Sequence, residues 1–372
     1  MKAIGIILAG GNNNRMKELT AKRAVPALPV AGSFRSIDFA LSSMSNSHIQ
    51  TVAVLTQYNA RSLNEHLSSS KWWNFGRKQG GLFLFTPTVT ADNSDWYRGT
   101  ADAMYQNIDF LKRRHEPYVI ISSGDCVYKL DFNRVLDFHI EKKSDITVVC
   151  KDMMYNDDVS RFGVVRMDDE SRITEFDEKP IEALSNTIST GIYVIRRRQL
   201  IELLEAAAEE NRFDFVNDIL VRYKNVKKIY GYKINSYWNN IADIDAYFKT
   251  NMDFLRPDVR SYFFREEPNI CSKVDDLPPA KFNPGSDISN SLVSSGCIIN
   301  GSVEDSVLFK QVFVGKNTTV KNCVILNDVY IGDNVHLENC IVESRGTINP
   351  NTCYCGEDGV MIVKEKNVRY VI

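Results

Sequence analysis

Through about residue 250 the chain alternates short apolar runs with stretches of helical periodicity. The runs fall at residues 3–9, 51–56 (Thr-Val-Ala-Val-Leu-Thr), 118–123 and 145–150, and helical patterns such as 100–114 lie between them. This alternation predicts an α/β domain: a mostly parallel sheet with helices on both faces and ligands at the carboxyl ends of its strands. Gly10-Gly11 stands at such an end. The pattern breaks near residue 251, where Pro257, Pro268, Pro278, Pro279 and Pro284 mark a linker. The expected organisation is a first domain over 1–250, a linker over 251–285 and a second domain over 286–372.

In the tail the period changes to 17. Val303, Val320 and Leu337 form one column, Val307, Val324 and Ile341 a second, and Val314, Ile331 and Ile348 a third. The flanks recur as well: Val314-Gly315-Lys316-Asn317 matches Ile331-Gly332-Asp333-Asn334, and Asn322-Cys323-Val324 matches Asn339-Cys340-Ile341. One aliphatic residue about every six positions, three to a repeat, predicts a triangular β-helix whose coils stack their side chains. An antiparallel meander is the alternative, and recurrence of nine aliphatic positions speaks against it. Cys323 and Cys340 are then interior residues rather than ligands.

Composition narrows the function. The 372 residues are 44% apolar, with Lys+Arg 45 against Asp+Glu 47 for a net charge of -2, and no basic stripe interleaved with aromatics. Nucleic acid is not expected as a partner. The eight cysteines follow no CxxC pairing and the five histidines are scattered, so neither a zinc site nor a disulfide framework is suggested; buried, reduced thiols are expected. No run approaches the ~18 apolar residues of a membrane span, and the apolar N-terminus stops at Gly-Gly-Asn without a cleavage pattern, so a cytoplasmic protein without membrane attachment is expected.

The chemistry centres on Leu8-Ala9-Gly10-Gly11-Asn12-Asn13-Asn14-Arg15-Met16, an apolar strand running into a glycine turn and an arginine, as phosphate-binding turns do. With Lys22-Arg23-Ala24-x-Pro26-Ala27 it resembles the signature of sugar-1-phosphate nucleotidyltransferases. Phe34-Arg35-Ser36-Ile37-Asp38-Phe39, Leu55-Thr56-Gln57-Tyr58, Trp96–Ala103, Gly124-Asp125, Phe176–Pro180 and Gly191-Ile192-Tyr193 narrow the resemblance. Together with the tail they are similar to bacterial ADP-glucose pyrophosphorylase (glucose-1-phosphate adenylyltransferase) of glycogen synthesis. That resemblance implies a Rossmann-like nucleotidyltransferase domain followed by a left-handed parallel β-helix. It also implies in-line transfer of AMP from ATP to glucose-1-phosphate with release of pyrophosphate, catalysed by positioning and by neutralising charge with cationic side chains and Mg2+.

Carried over position by position, the resemblance gives Gly10, Gly11, Arg15, Gly99, Thr100 and Asp125 as nucleotide-side residues, and Glu178, Lys179, Ser189 and Tyr193 as the sugar-phosphate pocket. It also shows departures. A turn glycine of the family is Asn13, its phosphate-facing lysine is Val25, and its second magnesium carboxylate, in Trp-x-Asp-Val-Gly-Thr, is Asn240 in Trp238-Asn239-Asn240-Ile241-Ala242-Asp243. Asp125 alone remains as a magnesium carboxylate, a histidine after it is Cys126, and a lysine of Asp-Phe-Gly-Lys-Asp is Asn217. Asparagine tolerates the turn, but its side chain fills space where a phosphate would lie. Lys22 matches a position near the family's effector site.

These departures imply a degenerate catalytic centre with weak or absent Mg2+. The expected role is a GlgD-type subunit, impaired alone, that joins an active paralogue in a hetero-oligomer, a tetramer, with glucose-1-phosphate or an allosteric metabolite as further ligands. The rivals are an enzyme active by itself, with Asp243 standing in for the lost carboxylate, and a nucleotide or sugar-phosphate sensor without an enzyme partner. A β-helix acyltransferase is disfavoured because the coils hold only His336 as a candidate base.

Overall fold

The computed structural model describes residues 2–11, 14–76, 80–89, 95–154 and 157–365. Among them nine strands form one sheet, in the order Ile173–Glu178, Gly163–Met167, Thr187–Arg196, Tyr118–Ser123, Ala3–Leu8, Thr51–Leu55, Gly81–Phe85. Ile146–Asp152 also pairs with Thr187–Arg196 and carries Ile229–Lys233 beside it. The run from Tyr118–Ser123 through Ala3–Leu8 to Gly81–Phe85 is parallel throughout. Thr187–Arg196 runs against it, a reversal that the hydrophobic pattern does not encode.

Alternate residues serve opposite faces, as strand geometry demands. Ile7, Val52, Val54 and Ile120 pack with the helices Ser36–Asn46 and Phe132–Glu141, whereas Ile4, Ile6, Ala53 and Ile121 pack with Thr100–Tyr105, Ile108–Lys112 and Arg197–Glu209. Burial on both faces explains why these strands read as unbroken apolar runs. Gly5 leaves room for Met44 of the helix lying across it: a Cβ there would come within 2.4 Å of Met44 Sδ and make that side chain shift. The single helix expected over 100–114 is two, Thr100–Tyr105 and Ile108–Lys112. Between them Asn107 Nδ2 donates to Ala103 O at 2.9 Å and to Tyr97 Oη at 2.9 Å, a side-chain bond to the i−4 carbonyl that competes with helix propagation.

The proline-marked stretch is only partly irregular. Pro257 opens the helix Pro257–Phe264, since a first-turn proline lacks only an N–H that would be unpaired anyway. Lys281–Phe282 already stacks on Ile298–Ile299, so parallel coils begin ahead of residue 286. Three sheets of five parallel strands then form the sides of the β-helix. All three aliphatic columns stand in the register expected, Val303 opposite Val320 opposite Leu337, Val307 opposite Val324 opposite Ile341, and Val314 opposite Ile331 opposite Ile348. The end coils depart from the repeat: Ile288 stands opposite Val303, and Ile341 opposite Ile362.

Cys297, Cys323 and Cys340 are fully buried in the β-helix, and all eight cysteines are free. Cys271 and Cys353 are exposed and Cys355 is half-buried, which corrects the expectation that all the thiols are interior. No helix among the described residues is long and apolar enough to cross a membrane.

The two domains share a core. Val25, Leu28 and Phe39, the helical residues Tyr247 and Phe263 with Phe254 between their helices, and the β-helix residues Val307, Phe309, Val324 and Ile341 belong to one hydrophobic cluster. Arg23 and the largely buried Glu343 pair across the same junction at 2.5 Å.

Candidate active site

A cavity of about 500 Å³ opens at the carboxyl ends of the parallel strands, and Gly10, Gly11, Val25, Gly99, Thr100 and Asp125 line it. Gly10 lies against the next strand end: a Cβ there would stand 3.4 Å from both Cβ and N of Gln57. Gln57 in turn clamps the opposite rim, its Oε1 accepting from Tyr97 N–H at 2.6 Å and its Nε2 donating to Tyr97 O at 3.2 Å. Tyr58 and Trp96 then stack over one another, centroids 5.6 Å apart, at the mouth. This clamp is legible in the sequence only as the stretch Leu55–Tyr58. Asn13, with Asn12, lies outside the described residues. Arg15 is exposed at the start of the short helix Asn14–Thr20.

Gly99 and Thr100 line the cavity, but their contacts are internal. A Cβ on Gly99 would collide with Phe213 O, the carbonyl that also accepts from Ala101 N–H at 2.8 Å and Asp102 N–H at 3.2 Å. Thr100 Oγ1 accepts from Phe215 N–H at 2.8 Å. The first turn of Thr100–Tyr105 therefore spends these donors on the 213–215 loop, and glycine is needed for that close approach.

Val25 is 5% exposed and belongs to the interdomain cluster while its surface forms part of the cavity wall. Across the cavity, the ribbon Cys126–Tyr128 pairs antiparallel with Trp238–Asn240, setting Asn240 opposite Cys126 and beside Asp125. Asp125 Oδ1 accepts from Ser123 Oγ and from Cys126 Sγ, the latter at 3.4 Å. Asn240 donates through Nδ2 to Cys126 Sγ at 3.4 Å, and its Oδ1 accepts from Ala242 N–H at 3.0 Å. Burial pushes the Cys126 thiol well up, so it acts as a neutral donor.

Asp243, three residues beyond Asn240, is engaged elsewhere. It is ion-paired with Arg161 and caps the helix Ile244–Asp253, its Oδ1 accepting from Ala246 N–H at 2.7 Å. Arg161 was not anticipated from the sequence. Its Nε is buried without a hydrogen-bond partner among the described residues, and its pKa is lowered first by burial, with Arg15 opposing its charge among the nearby groups. One carboxylate, a committed amide oxygen and a neighbouring guanidinium do not fit a magnesium ion held between two carboxylates.

The sugar-side residues form a second group. Lys179 Nζ lies 3.3 Å from Glu178 Oε1. Burial raises the Glu178 carboxyl, with Lys179 opposing the shift and Asp214 adding to it. Ser189 Oγ donates to Tyr193 Oη at 3.3 Å, and both residues are buried. Tyr193 is further raised by burial, and Glu178 and Asp214 act on it in the same direction. Asp214 thus lies near both Glu178, which holds Lys179, and Tyr193, which holds Ser189, whereas Asn217 is exposed, its backbone N–H donating to Asp214 Oδ1 at 2.7 Å. Lys22 is exposed next to Arg23, whose pair with Glu343 reaches the β-helix.

Comparison with known proteins matches residues 4–256 to the nucleotidyl transferase family and residues 278–362 to the GlmU-like, C-terminal hexapeptide family. A glucose-1-phosphate adenylyltransferase of Geobacillus stearothermophilus is 39% identical over 365 residues, covering 97% of this chain and 94% of that protein. The chain belongs to the glucose-1-phosphate adenylyltransferase family. Further members with the same name are those of Clostridium novyi (strain NT), 38% identical over 320 residues (85% of this chain, 84% of the relative), and Bacillus subtilis (strain 168), 36% identical over 322 (86% and 84%). Within this family the chain keeps the Rossmann-like sheet, its glycine turn at a strand end, and the parallel β-helix of hexapeptide repeats.

Proposed function

We propose that the chain is a GlgD-type subunit of glucose-1-phosphate adenylyltransferase in glycogen biosynthesis. It is catalytically impaired by itself and acts as the regulatory partner of an active paralogue in a hetero-oligomer, a heterotetramer. The reaction of the assembly is ATP + glucose-1-phosphate giving ADP-glucose + pyrophosphate. The observation that carries this reading is Asn240: a neutral amide beside Asp125, its oxygen already accepting from Ala242 N–H. Val25, an aliphatic wall residue where the family resemblance calls for a lysine, agrees with it. Each electrostatic contribution of this kind is commonly worth about 10²-fold or more in rate.

In this reading the nucleotide side is relict and binds Mg2+ weakly or not at all. Glu178, Lys179, Ser189 and Tyr193 hold glucose-1-phosphate. Lys22, exposed near the domain junction, is the candidate contact for an allosteric metabolite. A cytoplasmic location accords with this role.

The test assays this chain alone, the paralogous subunit alone and the two co-expressed. The expected result is negligible ADP-glucose synthesis by this chain and altered effector response or rate in the mixture. A second reading, an independently active enzyme, is favoured by relatives of 36–39% identity that bear the enzyme's name. Turnover of roughly 1 per second or more by the isolated chain establishes it. Failure to recover any paralogue with the chain from its own cells points instead to a sensor.

A further inference from the structure

Strand His336–Glu338 lies beside Cys353–Cys355 in parallel register, with His336 opposite Cys353, Leu337 opposite Tyr354 and Glu338 opposite Cys355. Side chains alternate along a strand, and Leu337 is wholly buried in the β-helix interior. His336 and Glu338 therefore share the outer face, and Cys353 and Cys355 share it with them. His336 Nε2 and Glu338 Oε2 are 3.5 Å apart, and the two sulfurs 3.6 Å. Donor atoms of His336, Glu338 and Cys355 all lie within 4.8 Å of one another.

The His336–Glu338 and Cys353–Cys355 separations match those of a coordination shell; His336, Glu338 and Cys355 already stand together, and the exposed Cys353, outside that group, reaches the same point by rotating its side chain. Bonds of about 2.3 Å to sulfur and about 2.0–2.2 Å to nitrogen and oxygen, arranged tetrahedrally, set two thiolates about 3.7 Å apart and an imidazole nitrogen about 3.4 Å from a carboxylate oxygen. Lys321 stacks on Glu338 from the preceding coil but lies 3.7 Å from Glu304, and among the described residues no lysine or arginine pairs with Glu338.

We propose that His336, Glu338, Cys353 and Cys355 form a binding site for one thiophilic divalent cation of the zinc class on the outer face of the last coils. Two thiolates and an imidazole select such an ion over magnesium or calcium. The ion staples the terminal coil to its neighbour. A solenoid's end repeat has contacts on one side only, so this is the coil that gains most from a crosslink. The sequence concealed the site because its cysteines are spaced C-x-C and its other donors arrive from the previous coil, through the register. The proposal runs against the expectation of no zinc site, which rested on sequence spacing alone.

The test strips the full-length, reduced protein with a chelator, then titrates zinc against a chromogenic competitor and, separately, cobalt(II). Expected are one equivalent of tightly held zinc, thiolate-to-cobalt charge-transfer absorption, and a rise in melting temperature with zinc but not magnesium. Cys353→Ser with Cys355→Ser abolishes all three, and His336→Gln weakens zinc binding about 10-fold or more. Because these side chains are outward-facing, the metal-free variants should melt with the metal-free parent. If the double cysteine variant does not fold, His336→Gln with Glu338→Gln gives the same reading. No zinc uptake overturns the proposal, as does one equivalent retained unchanged by the variants, which would locate the ion elsewhere.

Discussion

Replacing Asn240 by Asp places a second carboxylate opposite Cys126, next to the cavity residue Asp125, and its consequences can be worked out. The bond from Ala242 N–H to Oδ1, 3.0 Å, survives and becomes charge-assisted. The bond from Nδ2 to Cys126 Sγ is lost. Asp125 Oδ1 and Asn240 Nδ2 each lie 3.4 Å from Cys126 Sγ, so the two carboxylates of the variant are no more than about 7 Å apart. At an effective dielectric constant near 20, their repulsion costs about 2 kcal/mol. In chelator, Asn240→Asp should therefore be less stable than the parent by about 1–2 kcal/mol. A cation bridging the pair removes this cost, and at a concentration 100 times its Kd adds about 2.7 kcal/mol of stabilisation. Urea unfolding with 10 mM magnesium and with chelator, on parent and variant, measures both effects, since about 10 mM is 100-fold above a Kd of about 0.1 mM. The parent should shift by less than about 0.5 kcal/mol and the variant by about 2 or more. A parent already stabilised by magnesium to the variant's extent would refute the reasoning, because Asn240 would then be a sufficient ligand.

Three further outcomes are expected. Val25→Lys alone should destabilise the protein by about 1–3 kcal/mol in urea, the buried valine's contribution less what the lysine stem recovers; a neutral change would show that the ammonium reaches the cavity without disturbing the interdomain cluster. Arg23→Ala should cost about 2–4 kcal/mol by leaving Glu343 buried without its cation, and adding Glu343→Gln should restore part of that loss; additive costs would mean the pair is uncoupled. Burial pushes the His139 imidazole down to about 4, and its Nε2 is buried without a partner among the described residues. Since its folded pKa lies below the ordinary ~6.5, its contribution is present above pH ~6.5 and lost as pH falls toward about 4. His139→Phe should flatten the stability profile across that window, as measured by unfolding at successive pH values.

The fold was legible where periodicity is strict. Buried strands and a repeat that sets one aliphatic residue on the next leave little choice, and the columns through Val320, Val324 and Ile331 stand in their expected register. The reversed strand Thr187–Arg196 was not legible, because a run buried on both faces looks the same in either direction. In the site, residue identities revealed which charges are absent, but their consequences depend on partners far away in sequence. Nothing in Trp238–Asp243 indicates that Asp243 is held by Arg161, or that Gly99 is small for the sake of Phe213. For the same reason the spacing of the cysteines does not reveal that Cys353 and Cys355 stand opposite His336 and Glu338 of the previous coil.

Val25 faces two environments at once, the cavity on one side and the junction with the β-helix on the other. A cation at this position and a well-packed junction are thus opposed demands on a single side chain. The exchange is asymmetric. In the proposed reading, a lineage that has traded charge for packing here gains cohesion immediately, whereas a reverting mutation loses cohesion at once and recovers function only if Asn240 has already changed. In the reading proposed above, such a position acts as a ratchet, holding the chain in an assembly role once the route back to independent catalysis is uphill at its first step.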